Sequence, residues 1–304
     1  MSTMFVDDSA PGRLIVRDGA SVLLDCVYAP TDAAIESPRP YALLRTRDGV
    51  DVTSHRPADH VWHKGLSLAI ANLGDHNFWG GPTYVSGRGY VQLPNNGAQV
   101  HRAFRAITTD AAGVVCIDEE LDWVAASGAV VLTERRTLTV RDSHDDAWAL
   151  TWRSALRNAT RDALAFGSPT TQGRPDAGYG GIFWRGPAAF TGGELVSPHG
   201  VIGDAACGEP ASWLALTARD RSAGIVMLDA ADPGAPWFAR SAEYAGLGPA
   251  PFFHHERALA PGDTMVLAAA AIVGGPDAAR LADTVGAALV AELRAASAEP
   301  EETP

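Results

Sequence analysis

The chain has 304 residues, 46% hydrophobic and 20% charged, with a formal net charge of −12. That balance argues against a nucleic-acid backbone as partner, and no Lys/Arg block or basic-aromatic stripe offsets it. Cys26, Cys116 and Cys207 are widely spaced with no C-x-x-C pair, which argues against a disulfide scaffold or a cysteine zinc site.

The start, MSTMFVDDSAPGRL, has neither the basic nor the apolar part of a signal peptide. The longest apolar run, 265–273, falls far short of the roughly twenty residues a bilayer span needs. The expectation is a soluble, cytoplasmic protein with no membrane partner. Residues 14–16 and 21–28 read as strands around Asp18-Gly19, and 41–45 with 50–53 as a second hairpin around Asp48-Gly49. A strand over 66–72 follows, then a Gly- and Tyr-rich stretch over 83–94, then strands at 100–108 and 113–121. The clearest strand is 129–141. Its two-residue period puts Glu134 and Arg136 on one face with Val130, Leu132, Leu138 and Val140.

Residues 148–158 complete a hairpin with that strand. A long Gly/Pro/Thr loop ends at Gly181, and loops of this length inside a compact domain are commonly functional. Further strands are expected at 182–185, 211–218, 224–228, 237–240, 252–259 and 264–273. A helical period appears in 277–296, through Leu281, Val285, Leu289 and Leu293. Hairpin follows hairpin and one helix closes the chain, which excludes a doubly wound α/β fold. The fold expected is all-β: a large antiparallel β-sandwich over residues 1–296, with an acidic flexible tail at 297–304.

The window 59–81, DHVWHKGLSLAIANLGDHNFWGG, gathers His60, His63, His76, Trp62, Trp79, Asn77 and Gly80-Gly81. Titratable, aromatic and hinge-like residues at that density suit a polar recognition site. Two histidines three apart point to opposite faces of a strand, so both serve one site only where the chain turns. Pro57 and Gly65 supply turn chemistry. Such a pair binds a metal with a carboxylate or with His101, or acts as base and orienter. Glu134 beside Arg136 reads equally as a buried ion pair or as part of the site. Arg185 and Arg240 follow Trp184 and Trp237-Phe238, an arrangement suited to carboxylate or sugar-hydroxyl recognition. Trp62 and Trp79 are candidate stacking platforms. A lone histidine such as His144 or His199 reads as structural. There is no G-x-G-x-x-G, P-loop, G-x-S-x-G or H-E-x-x-H, so nucleotide-dependent, α/β-hydrolase and zincin chemistry lose support.

Asp59-His60-Val61-Trp62-His63-Lys64-Gly65-Leu66, followed by Asn77-Phe78-Trp79, resembles the D-H-P-H-H-R-G-L…F-W signature of the PmoA-like family. Glu134-Arg135, the segment from Gly180-Gly181 to Arg185, and Trp237-Phe238-Ala239-Arg240 sit in the expected order, so the resemblance spans roughly 40–275. Val61, Trp62 and Lys64 depart from the signature. The family carries the label methane oxygenase and is in effect of unknown function. The resemblance implies a galactose-mutarotase-type β-sandwich and a carbohydrate substrate. On this basis the leading expectation is a sugar-active lyase or hydrolase that cleaves or rearranges a glycoside, including one already oxidised to a keto-sugar. His60, His63, His101 and Glu134 are the candidate catalytic residues and the candidate ligands of an optional divalent metal. Trp62, Asn77, Trp79, Tyr179, Arg185 and Arg240 are the candidate substrate contacts. The alternatives are an aldose mutarotase or epimerase and a non-catalytic sugar-binding protein, with a metal-dependent oxygenase least favoured. The partner expected is a small sugar or glycoside, and exposed sheet edges leave a homodimer open.

Overall fold

The computed structural model describes residues 4–298 other than 145 and 233. Their strands assemble into an antiparallel β-sandwich. One sheet has eight strands in the spatial order Met4–Asp7, Arg13–Asp18, Ser21–Val27, Tyr41–Leu44, Leu66–Ala69, Gly181–Arg185, Gly246–Pro249 and Trp237–Arg240. The other has nine: Gly200–Val201, Glu194–Ser197, Trp213–Thr217, Gly224–Asp229, Thr264–Gly274, Trp148–Asn158, Val130–Asp142, Val115–Val124 and Ala98–Thr109. Leu24, Leu44, Leu68 and Trp184 of the first sheet meet Leu138, Leu150, Trp152 and Met227 of the second in one apolar core.

Strand Thr264–Gly274 explains the long apolar run of the sequence. Leu267, Ala269, Ala271 and Val273 enter the core between the sheets, while Ala268, Ala270 and Ile272 lie under the C-terminal helix. Both faces are covered, so no polar alternation survives. The helix seats Leu281, Leu289 and Leu293 on that outer face. It departs from the expected single α-helix. A 3₁₀ turn, Ala278–Leu281, and a π turn, Ala282–Gly286, precede the α-helix Ala287–Ala298. The backbone presses on the sheet there: a Cβ on Gly286 would lie 2.5 Å from Leu228. Residues 297 and 298, expected in the tail, continue the helix, and 299–304 lie outside the described residues.

Two expected strands shorten for local reasons. Thr53 Oγ1 accepts the Leu44 N–H at 2.9 Å, so 50–53 lines the edge of Tyr41–Leu44 without forming a strand. Pro251 interrupts the chain before Phe252 and Phe253, leaving only Arg257–Leu259 extended in the expected 252–259 segment. No helix among the described residues is long and apolar enough to cross a membrane.

Glu134 and Arg136 share the core face of Val130–Asp142, as the period requires, and the structure makes them an ion pair with no open valence. One Glu134 oxygen accepts from Arg136 Nε at 2.8 Å and Ser154 Oγ at 2.5 Å; the other accepts from Trp123 Nε1 at 2.7 Å and Arg136 Nη2 at 3.0 Å. Arg136 also donates to Gln99 and stacks on Trp152. A carboxylate so filled has nothing left for a metal or a substrate proton. Glu134→Ala should destabilise the fold by about 3–5 kcal/mol, because it strands a buried guanidinium and indole N–H. Denaturant titration checks this, and a loss near zero would contradict the structural role.

Candidate functional site

Strand alternation in the eight-stranded sheet sends Trp184 and Trp237 into the core and turns Phe183, Arg185, Phe238 and Arg240 outward. On that outer face the loop 53–65 folds over the sheet. The His60 N–H donates to Pro57 O at 3.0 Å and the His63 N–H to His60 O at 2.9 Å, so two successive turns bring His60 and His63 to the same side. Gly65, at φ +48°, closes the loop where a Cβ would sit 2.4 Å from Ala42 O. Only glycine tolerates both the angle and the approach.

A cavity of ≈ 970 Å³ opens above this face. His60, Trp62, His63, Trp79, Tyr179 and Arg240 line it, as do Tyr90, Arg174, Asp204 and Tyr244. Trp79 and Tyr179 lie 4.5 Å apart between centroids, Trp79 and Phe183 4.9 Å, and Tyr179 and Phe238 5.6 Å, which makes one continuous aromatic floor. Gly80 and Gly81 let the chain pass against Trp62: a Cβ on Gly81 would lie 2.7 Å from the indole.

The hydrogen bonds assign each histidine a protonation pattern. Arg185 Nη1 donates to His63 Nδ1 at 3.2 Å. A guanidinium cannot accept, so His63 Nδ1 carries the lone pair and Nε2 the proton. Burial first, and then the charges of His60, Arg185 and Arg39, hold His63 well below the usual histidine range and keep it neutral. The other end of Arg185 grips the Asp59 carboxylate at 2.7 and 3.0 Å, and the guanidinium stacks on Tyr244 at 4.2 Å. Burial raises the Asp59 pKa, but hydrogen bonds from His60 and Arg185 outweigh it, and the net displacement is downward. An ionised carboxylate accepts only, so His60 Nδ1 donates to Asp59 Oδ2 at 2.9 Å and leaves Nε2 as its acceptor. The two imidazoles stack, with centroids 4.6 Å apart and planes 11° from parallel. Among the described residues no protein hydrogen bond reaches Nε2 of either ring. Of the two stacked rings lining the cavity, one therefore offers an accepting nitrogen and the other a donating one. Burial also pushes the Tyr244 phenol up to about 12 and the Tyr179 phenol well above its usual range, so both keep their protons.

Beneath the loop lies a cationic frame that sequence reading passed over. Arg39, fully buried, donates to the carbonyls of Trp62 at 2.7 Å and Trp79 at 2.9 Å and so ties the two indole segments together. Its burial, opposed by Asp32 and Glu36, lowers it to about 9. Lys64 is also buried, and pairs with Asp32 and Glu36.

Four expected site residues lie elsewhere or do other work. Glu134 is locked in the core between the sheets. His101, on the edge strand Ala98–Thr109, bonds Glu119 at 2.8 Å and packs on Tyr28 and Phe104, away from the cavity lining. The four candidate ligands His60, His63, His101 and Glu134 thus do not converge, and among the described residues no group of three His, Cys, Asp or Glu side chains is arranged to hold a metal ion. Asn77 faces inward: its Oδ1 accepts the N–H groups of Trp79 and Gly80, and its Nδ2 donates to Gly81 O and Thr83. It shapes the turn that carries Trp79. Arg185 sits behind the histidines and orients them. Asp59, Tyr90, Arg174, Asp204 and Tyr244 were not assigned from sequence. Asp59 alone carried a signal, as the neighbour of His60 in the motif.

The buried neutral His63 makes stability depend on pH. Its folded pKa lies below the unfolded value of 6.5, so between the two the unfolded chain holds a proton that the folded chain lacks. The His63 contribution is complete above that value and is lost as pH falls toward the folded pKa. Thermal unfolding from pH 7.5 down to 5 should show a falling Tm, and His63→Gln should flatten that slope.

A family of unknown function, DUF6807, matches residues 14–285. No curated protein matches. Among solved structures, the Slr1438 protein from Synechocystis sp. PCC 6803 aligns with a TM-score of 0.39 and 8% identity over 91% of this chain and 97% of its own. A heparinase III, the BT4657 gene product, aligns with a TM-score of 0.39 and 7% identity over 91% of this chain, which spans 35% of that protein. With its match covering most of the sandwich, including the loop of His60 and His63, the chain belongs to the DUF6807 family.

Proposed function

We propose that this protein is a carbohydrate-active enzyme that moves a proton at a sugar carbon next to a carbonyl, leading to elimination of a glycosidic substituent or to epimerisation. The observation that carries the reading is the stacked pair: His60 with an accepting Nε2 and His63 with a donating Nε2–H, 4.6 Å apart between ring centroids. A carbon acid needs both at once. His60 takes the proton from the C–H bond, and the electron pair moves into a C=C bond as the carbonyl oxygen gains negative charge. His63 Nε2–H hydrogen-bonds that oxygen, a role a neutral imidazole fills well because its pKa as a donor is closer to that of the enol than an imidazolium's would be. In elimination, the β-substituent then leaves with its bonding pair and takes the proton from the His60 imidazolium. In epimerisation, water in the open cavity protonates the carbon on its other face, and the His60 imidazolium gives its proton to the hydroxide so formed.

Asp59 and Arg185 are positioning residues. Asp59 fixes the His60 tautomer and stabilises its charged form, while Arg185 fixes the tautomer of His63 and holds Asp59 in place. The sugar class is supported by the lining, where the faces of Trp62 and Trp79 and the protonated phenols of Tyr179 and Tyr244 suit the CH faces and hydroxyls of a pyranose. Three carboxylates also stand at this cavity, of which Asp204 already accepts the Ser241 N–H and Oγ–H, leaving Asp176 and Glu243 as the pair that glycoside hydrolysis would use.

The histidine pair suits a second reaction. In ring opening, the anomeric hydroxyl gives its proton to one nitrogen while the ring oxygen is served by the other, so mutarotation is the alternative. Isotope placement separates the two. A panel of aldoses, ketoses and keto-glycosides incubated in D₂O should show deuterium at a carbon-bound position, and His60→Ala should slow that exchange by roughly 10²–10⁴-fold. Anomer equilibration with no deuterium on carbon would replace the reading by mutarotation. Neither event, with His60→Ala indistinguishable from wild type in ligand binding, would make the protein a binding module.

A further inference from the structure

The cavity holds two guanidinium groups that the proton-transfer chemistry does not use. Arg174 lies over the Tyr90 ring at 4.8 Å and Arg240 over the Phe238 ring at 5.0 Å. Tyr179 stands between these platforms: its hydroxyl meets Tyr90 Oη at 2.8 Å, and its ring meets Phe238 at 5.6 Å. The two cations thus flank one phenol. Arg174 donates from Nη1 to the Tyr90 hydroxyl, and Arg240 to the carbonyls of Ala239 at 2.9 Å and Asp176 at 2.7 Å. These are neutral acceptors. Among the described residues neither arginine forms an ion pair, although Asp176 and Glu243 stand at the same cavity. In a chain with 36 acidic and 24 basic residues, two half-buried arginines held by aromatic faces and lacking a carboxylate are an unfilled charge requirement. Stacking fixes the plane of each guanidinium and leaves N–H groups for a planar or tetrahedral anion.

Their place relative to the histidines bears on which part of a ligand they meet. His63 touches Trp79 at 5.6 Å between centroids, and Trp79 touches Tyr179 at 4.5 Å. From the proton-transfer pair, the line of contacts to the arginines runs through Trp79 and Tyr179, then through Tyr90 to Arg174 and Phe238 to Arg240. The carbonyl that acidifies the C–H bond is met by the neutral His63, and a charged substituent elsewhere on the sugar is met by the arginines. The geometry points to an anionic sugar as ligand, with a carboxylate or phosphate ester held by Arg174 and Arg240. This rests on reading the cavity as a sugar site and adds the charge of the sugar to it.

Binding to the full chain tests it, by calorimetry with D-glucuronate and D-galacturonate, the 6-phosphates of glucose and galactose, and the two parent sugars. At least one anion should bind roughly tenfold more tightly than its neutral parent, with the preference weakening as salt rises. A uronate ahead of the 6-phosphate identifies a carboxylate, and the reverse order a phosphate. Arg174→Gln and Arg240→Gln should each reduce the preference. Equal affinity for anionic and neutral sugars, no binding of the anions, or a preference that survives both arginine substitutions overturns the inference. Carbon-bound deuterium exchange can still succeed on a neutral sugar in that case, so the two readings fail separately.

Discussion

Everything chemical in this cavity depends on one side chain, Arg185. It can donate hydrogen bonds but not accept them, and both of its ends are engaged: one on His63 Nδ1, the other on the Asp59 carboxylate that holds His60. Two imidazoles of identical chemistry thereby acquire opposite characters at Nε2. The stack reinforces the division. Two rings 4.6 Å apart cannot both carry a proton cheaply, and His63, more deeply buried and beside two guanidinium groups, is the one that stays neutral.

The segments that carry Trp62 and Trp79 rest on a frame of buried cations, and the frame is expensive. Arg39 and Lys64 are buried cations, and removing such groups from water costs several kcal/mol each before compensation. Arg39 recovers part of this through four carbonyls and Ser67, Lys64 through Asp32 and Glu36. A comparable apolar packing would stabilise the loop at lower cost. It would not fix the carbonyls of Trp62 and Trp79, whose rings form the floor. The sandwich below carries one such buried cation, Arg136, among Leu, Val, Trp and Ala side chains, and there the compensation is an ion pair with Glu134, whose carboxylate is fully bonded.

Much of the fold was legible because the period of two is a local signal. Val130–Asp142 and Trp148–Asn158 carry it cleanly, and even the unbroken apolar run of Thr264–Gly274 follows from coverage on both faces. The two ends of the window 59–81 were legible as a candidate site because histidines, tryptophans and glycines crowd there, whereas its middle, Leu66–Ala69, is core strand. The partners were not. Sequence order cannot show that Arg185 reaches His63 across 122 positions, that Tyr244 lies under Arg185, or that Tyr90 meets Tyr179. His101 and Glu134 were drawn into the site for the same reason in reverse. Each is a titratable residue on an amphipathic strand, and nothing local says whether its partner is a substrate or, as here, the Glu119 carboxylate for His101 and the Arg136 guanidinium for Glu134.

The turn chemistry between Pro57 and Gly65 is what brings the two histidines together. Had 57–63 been extended, His60 and His63 would face opposite sides and each would be an isolated histidine, available at most for a hydrogen bond to a ligand hydroxyl. Two consecutive turns convert the spacing of three into a stack, and the stack into an acceptor beside a donor. A binding protein gains little from that arrangement. Opposite proton roles at adjacent nitrogens add no more affinity for a sugar than two donors would, yet they demand a buried guanidinium, an ionised aspartate and a strictly glycine hinge to maintain. They are useful when a proton has to leave one atom of the ligand while charge develops on the next.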